Sequence, residues 1–348
     1  MEKADLVLEN GDIFEGYAFG AKAKGVGELV FNTGVCDYME TLTDKSYYGQ
    51  IIMQTFPMIG NYGIIEADED GKCVASGSVV REWCENPSNF RCEEDIDAYL
   101  KMQGIPGIYG VDTRRITAII REQGVMNAAI CSSIPESREF LKNYKISRAV
   151  EAVTSADITK YFVDNAKYSL ALVDYGVKPS IVKALNERGC SVTVYPANAQ
   201  LISILPQLYD GIVLSNGPGA PEEGVYTEQI KELFGKKPVL AIGLGYQLLA
   251  IANGAEVEKL RYGHRGANQP CKMTGKNRTY IIVQNHGYAV VSDSVKKGNI
   301  SFVNANDGTC EGIEYKDEKA ISVQFYPDSI NGTSFIYDEF INMLGGAR

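Results

Sequence analysis

PVLAIGLGYQLLAIANG, residues 238–254, decides how the rest of the chain is read. Pro238–Ile242 reads as a short buried strand, Gly243–Gly245 as a tight turn, and Tyr246–Ala252 as a helix closed by Gly254. Strand, sharp turn and helix together form the nucleophile elbow, which holds one reactive side chain in a strained and exposed position. At the tip of this one stands Gly243, which carries neither thiol nor hydroxyl. The stretch has the form of an elbow without its nucleophile.

Upstream of the elbow, strands and helices alternate. Leu170–Asp174 predicts a strand, and Pro179–Arg188 a helix with Ile181, Val182 and Leu185 on its apolar face and Gly189 as its stop. Ser191–Tyr195 follows as strand, Gln200–Leu205 as a short helix ended by Pro206, Gly211–Ser215 as strand and Thr227–Phe234 as helix. This rhythm predicts a doubly wound parallel sheet, whose ligands sit beyond the carboxyl ends of its strands. Both the elbow and the turn Asn216-Gly217-Pro218-Gly219 fall at such ends.

Residues 167–348 are therefore read as one domain, and the polar stretch 141–166 as the linker before it. In residues 1–140 the pattern differs. DLVLENGDIFEGYAF (5–19) alternates around Asn10-Gly11, a strong hairpin signal. Strand-like pieces recur at Glu28–Asn32, Gln50–Thr55 and Val74–Arg81, and helical periodicity at Asp95–Gln103 and Thr113–Gln123. The fold class expected is α/β, with an N-terminal mixed α/β domain rich in antiparallel pairing.

Composition narrows the function classes. The 348 residues carry a net charge of −10, from 44 acidic and 34 basic residues, and no Lys/Arg cluster exceeds a pair. Nucleic-acid binding needs a basic face or stripe, and this chain offers none. No apolar run has the length of a membrane span, and Met-Glu-Lys-Ala-Asp does not start a signal peptide, so a cytoplasmic protein without membrane contact is expected. The eight cysteines show no CxxC pair and no metal-ligand spacing, which predicts scattered reduced thiols and no metal site. Only His264 and His286 are available for histidine chemistry. Each is read as a satisfied structural histidine.

Three constellations, LSNGPGAP (214–221), AIGLGYQLLA (241–250) and SVQFYPD (322–328), have the spacing of the class I glutamine amidotransferase family. The second domain is thus expected to be class I glutamine amidotransferase-like. The resemblance covers nearly the whole chain and is narrower than that superfamily. VFNTG (30–34), TLTDKSYYGQI (41–51), PMIGNYGI (57–64), VVREWCENPSNFR (79–91) and GIPGIYGVDTRRIT (104–117) resemble the carbamoyl phosphate synthetase small-subunit family, as do LVDYGVKPSI (172–181) and VQNHGYAV (283–290).

In that family a cysteine thiolate attacks glutamine, a histidine moves the proton and a carboxylate orients the histidine. Ammonia then passes to a large ATP-dependent subunit, in service of pyrimidine and arginine pathways. The resemblance places Gly243 at the cysteine, Tyr326 at the histidine and Asp328 at the glutamate. None of the three matches. Glycine cannot attack a carbonyl, and tyrosine, whose ordinary pKa is near 10, is a poor base at neutral pH. Tyr246 also stands where the elbow usually has histidine.

Elbow residues are commonly held at positive φ, a strain of about 1–3 kcal/mol for a side-chain-bearing residue and almost none for glycine. An engineered knockout needs one substitution, and three point to relaxed or redirected selection. Neither Cys36 nor Cys271 has the elbow context of a replacement nucleophile.

The positions that the resemblance assigns to glutamine binding fare better. Ser46, Gly217, Gly219, Leu244, Gln247, Asn285 and Gly287 match, and Tyr288 replaces the usual phenylalanine. The resemblance implies no cofactor. The sequence is read as a small subunit without glutaminase activity that acts as a structural or regulatory partner of the large subunit. Two alternatives stay open: a stand-alone glutamine or metabolite sensor, and a glutamine-hydrolysing subunit with a rearranged mechanism.

Overall fold

The computed structural model describes residues 2–68, 71–199, 208–222 and 224–345, so the helix expected over 200–205 falls outside the described residues. One compact unit runs to Ala149 and takes in Leu260–Ala267; the other comprises Val150–Lys259 and the chain from Asn268 onward. Among the described residues no helix is long and apolar enough to cross a membrane.

In the first unit, Asn10-Gly11 makes the expected hairpin. Gly11 adopts φ +105°, Asn10 Oδ1 accepts a hydrogen bond from the Asp12 amide at 3.0 Å, and Val7 stands opposite Ile13. Strands Lys3–Leu8, Ile13–Gly20, Pro106–Tyr109, Gly77–Val80, Gln50–Gln54, Gly25–Asn32 and Met126–Cys131 follow one another around a closed barrel. Antiparallel pairs enter and close it, while the run from Pro106–Tyr109 through Gly25–Asn32 is parallel.

Barrel strands are buried on both faces: Ile51 and Met53 join one apolar cluster and Ile52 another. Helix Ile96–Gln103 starts at Asp95, whose side chain accepts from Ala98 N at 2.9 Å, and stops at Gly104 at φ +73°. Thr113–Gln123 is capped the same way by Asp112. The stretch read as a linker carries helix Ala149–Val153 and strand Thr159–Tyr161, which pairs with Cys190–Pro196.

At the centre of the second unit five parallel strands lie in the order Cys190–Pro196, Tyr168–Asp174, Gly211–Leu214, Val239–Ile242 and Ala320–Val323. Both faces are apolar, as a parallel sheet requires. Ala171, Val173, Ile212, Leu214, Val239 and Ala241 pack under helices Val225–Leu233 and Leu244–Ala252. Leu170, Leu172, Val213, Leu240 and Ile242 pack under Pro179–Asn186 and Phe335–Gly345. This is the doubly wound arrangement that the sequence predicts.

Beyond it the sheet continues through Cys310–Tyr315, antiparallel to Ala320–Val323, into the long strands Thr279–Val290 and Val257–Met273 and finally Asn299–Asn304. Among the described residues ten strands result, half of them outside the parallel core.

Candidate functional site

The elbow is built by the close approach of its helix to the sheet. Gly245 N donates to Ser215 O at 2.9 Å, and a β-carbon on Gly245 would lie 2.5 Å from Leu214 O. Only glycine lets the helix sit that near the strand. Gly243, at the tip, has φ +57° and ψ −115°; its N–H donates to Val323 O at 2.9 Å, and its carbonyl accepts from Gln247 N at 3.2 Å. The positive-φ turn of an elbow therefore persists around a residue without a side chain, for which that backbone carries almost no strain. Helix Leu244–Ala252 is buried on nearly every side, which explains its apolar sequence.

The glycine turn faces it. A β-carbon on Gly217 would lie 2.3 Å from Tyr175 O, and Gly219 has φ +92°. Asn216, fully buried, organises this end of the sheet. Its Oδ1 accepts from Lys178 N at 3.1 Å, and its Nδ2 donates to Gly176 O at 3.0 Å and to Tyr326 Oη at 3.4 Å. The Lys178 ammonium lies 4.9 Å from the centre of the Tyr326 ring. Gly243 and Tyr326 thus share Asn216 as a neighbour, since a β-carbon on Gly243 would come within 3.1 Å of Asn216 Cβ.

Asp328 serves a different task. Its carboxylate accepts from Ile330 N at 2.6 Å, its N–H donates to Thr333 Oγ1 at 2.9 Å, and its carbonyl accepts from Thr333 N and Ser334 N. These bonds shape the turn that leads into helix Phe335–Gly345. Tyr246 is also absorbed by the core: its hydroxyl donates to Cys310 O at 3.1 Å, and burial holds its phenol far above the ordinary range.

Of the remaining positions, Gln247 is buried, and its Nε2 donates to Tyr288 O at 2.8 Å and Gln324 Oε1 at 2.7 Å. Leu244 is buried, while Asn285, Gly287 and Tyr288 lie half-buried along strand Thr279–Val290. Ser46 belongs to the first unit, where its N–H donates to Asp44 Oδ1 in the single turn Lys45–Tyr47.

A buried polar chain runs from Gln247 through the sheet. Tyr288 O receives His286 Nδ1 at 2.8 Å, which assigns the proton to Nδ1. His286 Nε2 lies 3.8 Å from the Glu311 carboxylate, which also accepts from Gln284 Nε2 at 2.5 Å and Thr309 Oγ1 at 2.9 Å. Glu311 is fully buried and its carbonyl takes the N–H of Gln324, so the chain closes on itself. Asn216, Lys178, Gln324 and Glu311 were not singled out from sequence. The first three lie inside the quoted motifs, while Glu311 shares the short strand Cys310–Tyr315 with a second acid, Glu314, and the sequence does not set the two apart. Burial pushes the Cys271 thiol up, away from nucleophilic use.

The family model for the carbamoyl-phosphate synthase small chain, CPSase domain, matches residues 6–130, and that for class-I glutamine amidotransferase matches residues 171–343. The chain is 43% identical over 347 residues to the carbamoyl phosphate synthase small chain of Clostridium perfringens, covering 97% of this chain and 99% of that one. It is 42% identical to the small chain of Listeria monocytogenes, covering 99% and 98%. A solved glutamine amidotransferase from Thermotoga maritima matches 51% of this chain and 84% of its own, with 18% identity and a TM-score of 0.40.

Proposed function

The chain belongs to the carbamoyl phosphate synthase small-chain family, and we propose that it is a member that has given up glutamine hydrolysis. It acts instead as a structural or regulatory partner of an ATP-dependent large chain in the cytoplasm, where ammonia supplies the nitrogen for carbamoyl phosphate in pyrimidine or arginine synthesis. The observation that carries this reading is the elbow tip. Gly243 keeps a positive φ and the turn's backbone bonds while offering no atom that could attack a carbonyl.

Two further features support it. Tyr326 places a phenol beside Asn216 where an amidotransferase needs a proton carrier, and the Asp328 carboxylate is committed to Ile330 N. Without a nucleophile, the oxyanion-binding amides of an elbow have no tetrahedral intermediate to stabilise. The matched first domain is what a retained docking role requires, since it lies outside the glutaminase fold.

Co-expression with a carbamoyl phosphate synthase large chain tests the proposal. A stable complex that makes carbamoyl phosphate from ammonia and not from glutamine is expected. A chain that stays monomeric beside the large chain at low salt would speak against it.

A further inference from the structure

Numbered along the chain, the five parallel strands of the second unit lie in the spatial order 2-1-3-4-5. The winding reverses between Tyr168–Asp174 and Gly211–Leu214. In sheets of this order the crevice outside the carboxyl ends of those two strands is where ligands bind. Lys178 follows the first of these strands and Asn216 the second.

Tyr326 reaches both. Its hydroxyl lies 3.4 Å from Asn216 Nδ2, and its ring centre lies 4.9 Å from the Lys178 ammonium. We propose that Tyr326 is a built-in plug: its ring occupies the switch-point crevice and determines that the chain no longer admits glutamine there. The inference rests on the reading of a site released from hydrolysis, in which no reacting atom needs access to that crevice.

The plug is anchored from three directions. The ring packs against the apolar cluster that contains Phe325 and Val323, its backbone N–H donates to Val283 O at 3.4 Å, and the Lys178 cation lies over the ring while the Asn216 amide bonds its hydroxyl. A carboxamide entering the crevice would have to displace an aromatic ring already held by a cation and a buried amide, and would gain no covalent step in return. The amide of Gln247 is similarly committed, to Tyr288 O and Gln324.

The test is calorimetric titration of L-glutamine into the full chain, with glutamate release followed in the same samples. The expected result is no binding by the wild type or by Tyr326→Phe, which keeps the ring, and a gain of at least about tenfold in affinity for Tyr326→Ala. Should the alanine variant not fold, Tyr326→Ser, which also lacks the ring, is read instead and the same gain is expected. Binding by the wild type as tight as by the variant would overturn the plug, and so would a folded, ring-less variant that still takes no glutamine. Wild-type binding without hydrolysis would sink the plug alone, whereas wild-type hydrolysis would sink the reading on which it rests.

Discussion

A β-carbon on Gly243 would lie 3.1 Å from Cβ of Asn216 and 3.3 Å from its Cα, closer than side chains ordinarily pack. Asn216 is fully buried and bonded on both sides of its amide, so it has little room to yield. The elbow of this chain has closed around glycine.

Gly243→Ala therefore meets both crowding and φ +57°. It should destabilise the chain by about 1–3 kcal/mol, measured by denaturant unfolding. Gly243→Cys should show a similar loss and no glutamine turnover, because neither Tyr326 nor Asp328 supplies the missing proton transfer. An unchanged unfolding midpoint in both variants would show that the turn is not strained.

Gly245→Ala should be the worse of the two. Its β-carbon would lie 2.5 Å from Leu214 O and 2.7 Å from Leu214 C, backbone atoms of a central strand that cannot move aside. Overpacking of this kind costs about 1–3 kcal/mol and sometimes more. Gly254→Ala, at φ +83° with nothing within 4 Å, should lose only the backbone term. If the two variants unfold at the same midpoint, the close approach of helix to strand is not what selects glycine at 245.

Gln247→Leu removes the donor to Tyr288 O and to Gln324 Oε1 in a buried setting. Tyr288 O keeps the His286 Nδ1 donor, whereas Gln324 Oε1 loses its own, at a cost of about 1–3 kcal/mol. The double variant Gln247→Leu with Gln324→Leu should recover part of the loss, because the stranded side-chain oxygen goes with it. A thermal-shift cycle over the four proteins reads the coupling, and strict additivity would show that the two amides do not depend on each other.

Burial pushes the Cys73 and Cys190 thiols up to about 11. The folded state thus holds protons that the unfolded chain releases near the ordinary thiol pKa of about 8.5. Their contribution to stability is complete below that value and is lost as pH rises toward 11, by up to about 1.4 kcal/mol per pH unit for each thiol. Melting temperature in reductant should fall steeply between these limits, and less steeply in Cys73→Ala. A flat profile would mean that neither thiol stays neutral when folded.

Local chemistry made much of the fold legible. Asn10-Gly11 turns the chain where the sequence predicts, and the periodicity at Asp95–Gln103 and Thr113–Gln123 becomes helices Ile96–Gln103 and Thr113–Gln123, whose caps Asp95 and Asp112 and stop at Gly104 the structure adds. Closure of the first sheet into a barrel was not legible, because it depends on Met126–Cys131 pairing with both Lys3–Leu8 and Gly25–Asn32, about a hundred residues away. Strand Val257–Met273 escaped notice because Gly263, Gly266 and Pro270 interrupt its pattern and its burial does not alternate.

At the candidate site the resemblance assigns Gly243, Tyr326 and Asp328 to the triad positions. It could not show that Asp328 turns to Ile330 N, or that Asn216 links Tyr326 to the elbow, since both relationships exist only in three dimensions.

Glutamate release from glutamine by the purified full chain, alone and with a carbamoyl phosphate synthase large chain added, measures whether an elbow tipped by Gly243 still hydrolyses. Removing members of a nucleophilic triad leaves rates lower by about 10⁴–10⁶. A rate indistinguishable from buffer is expected in both mixtures. Turnover above buffer that tracks the chain through purification would contradict it.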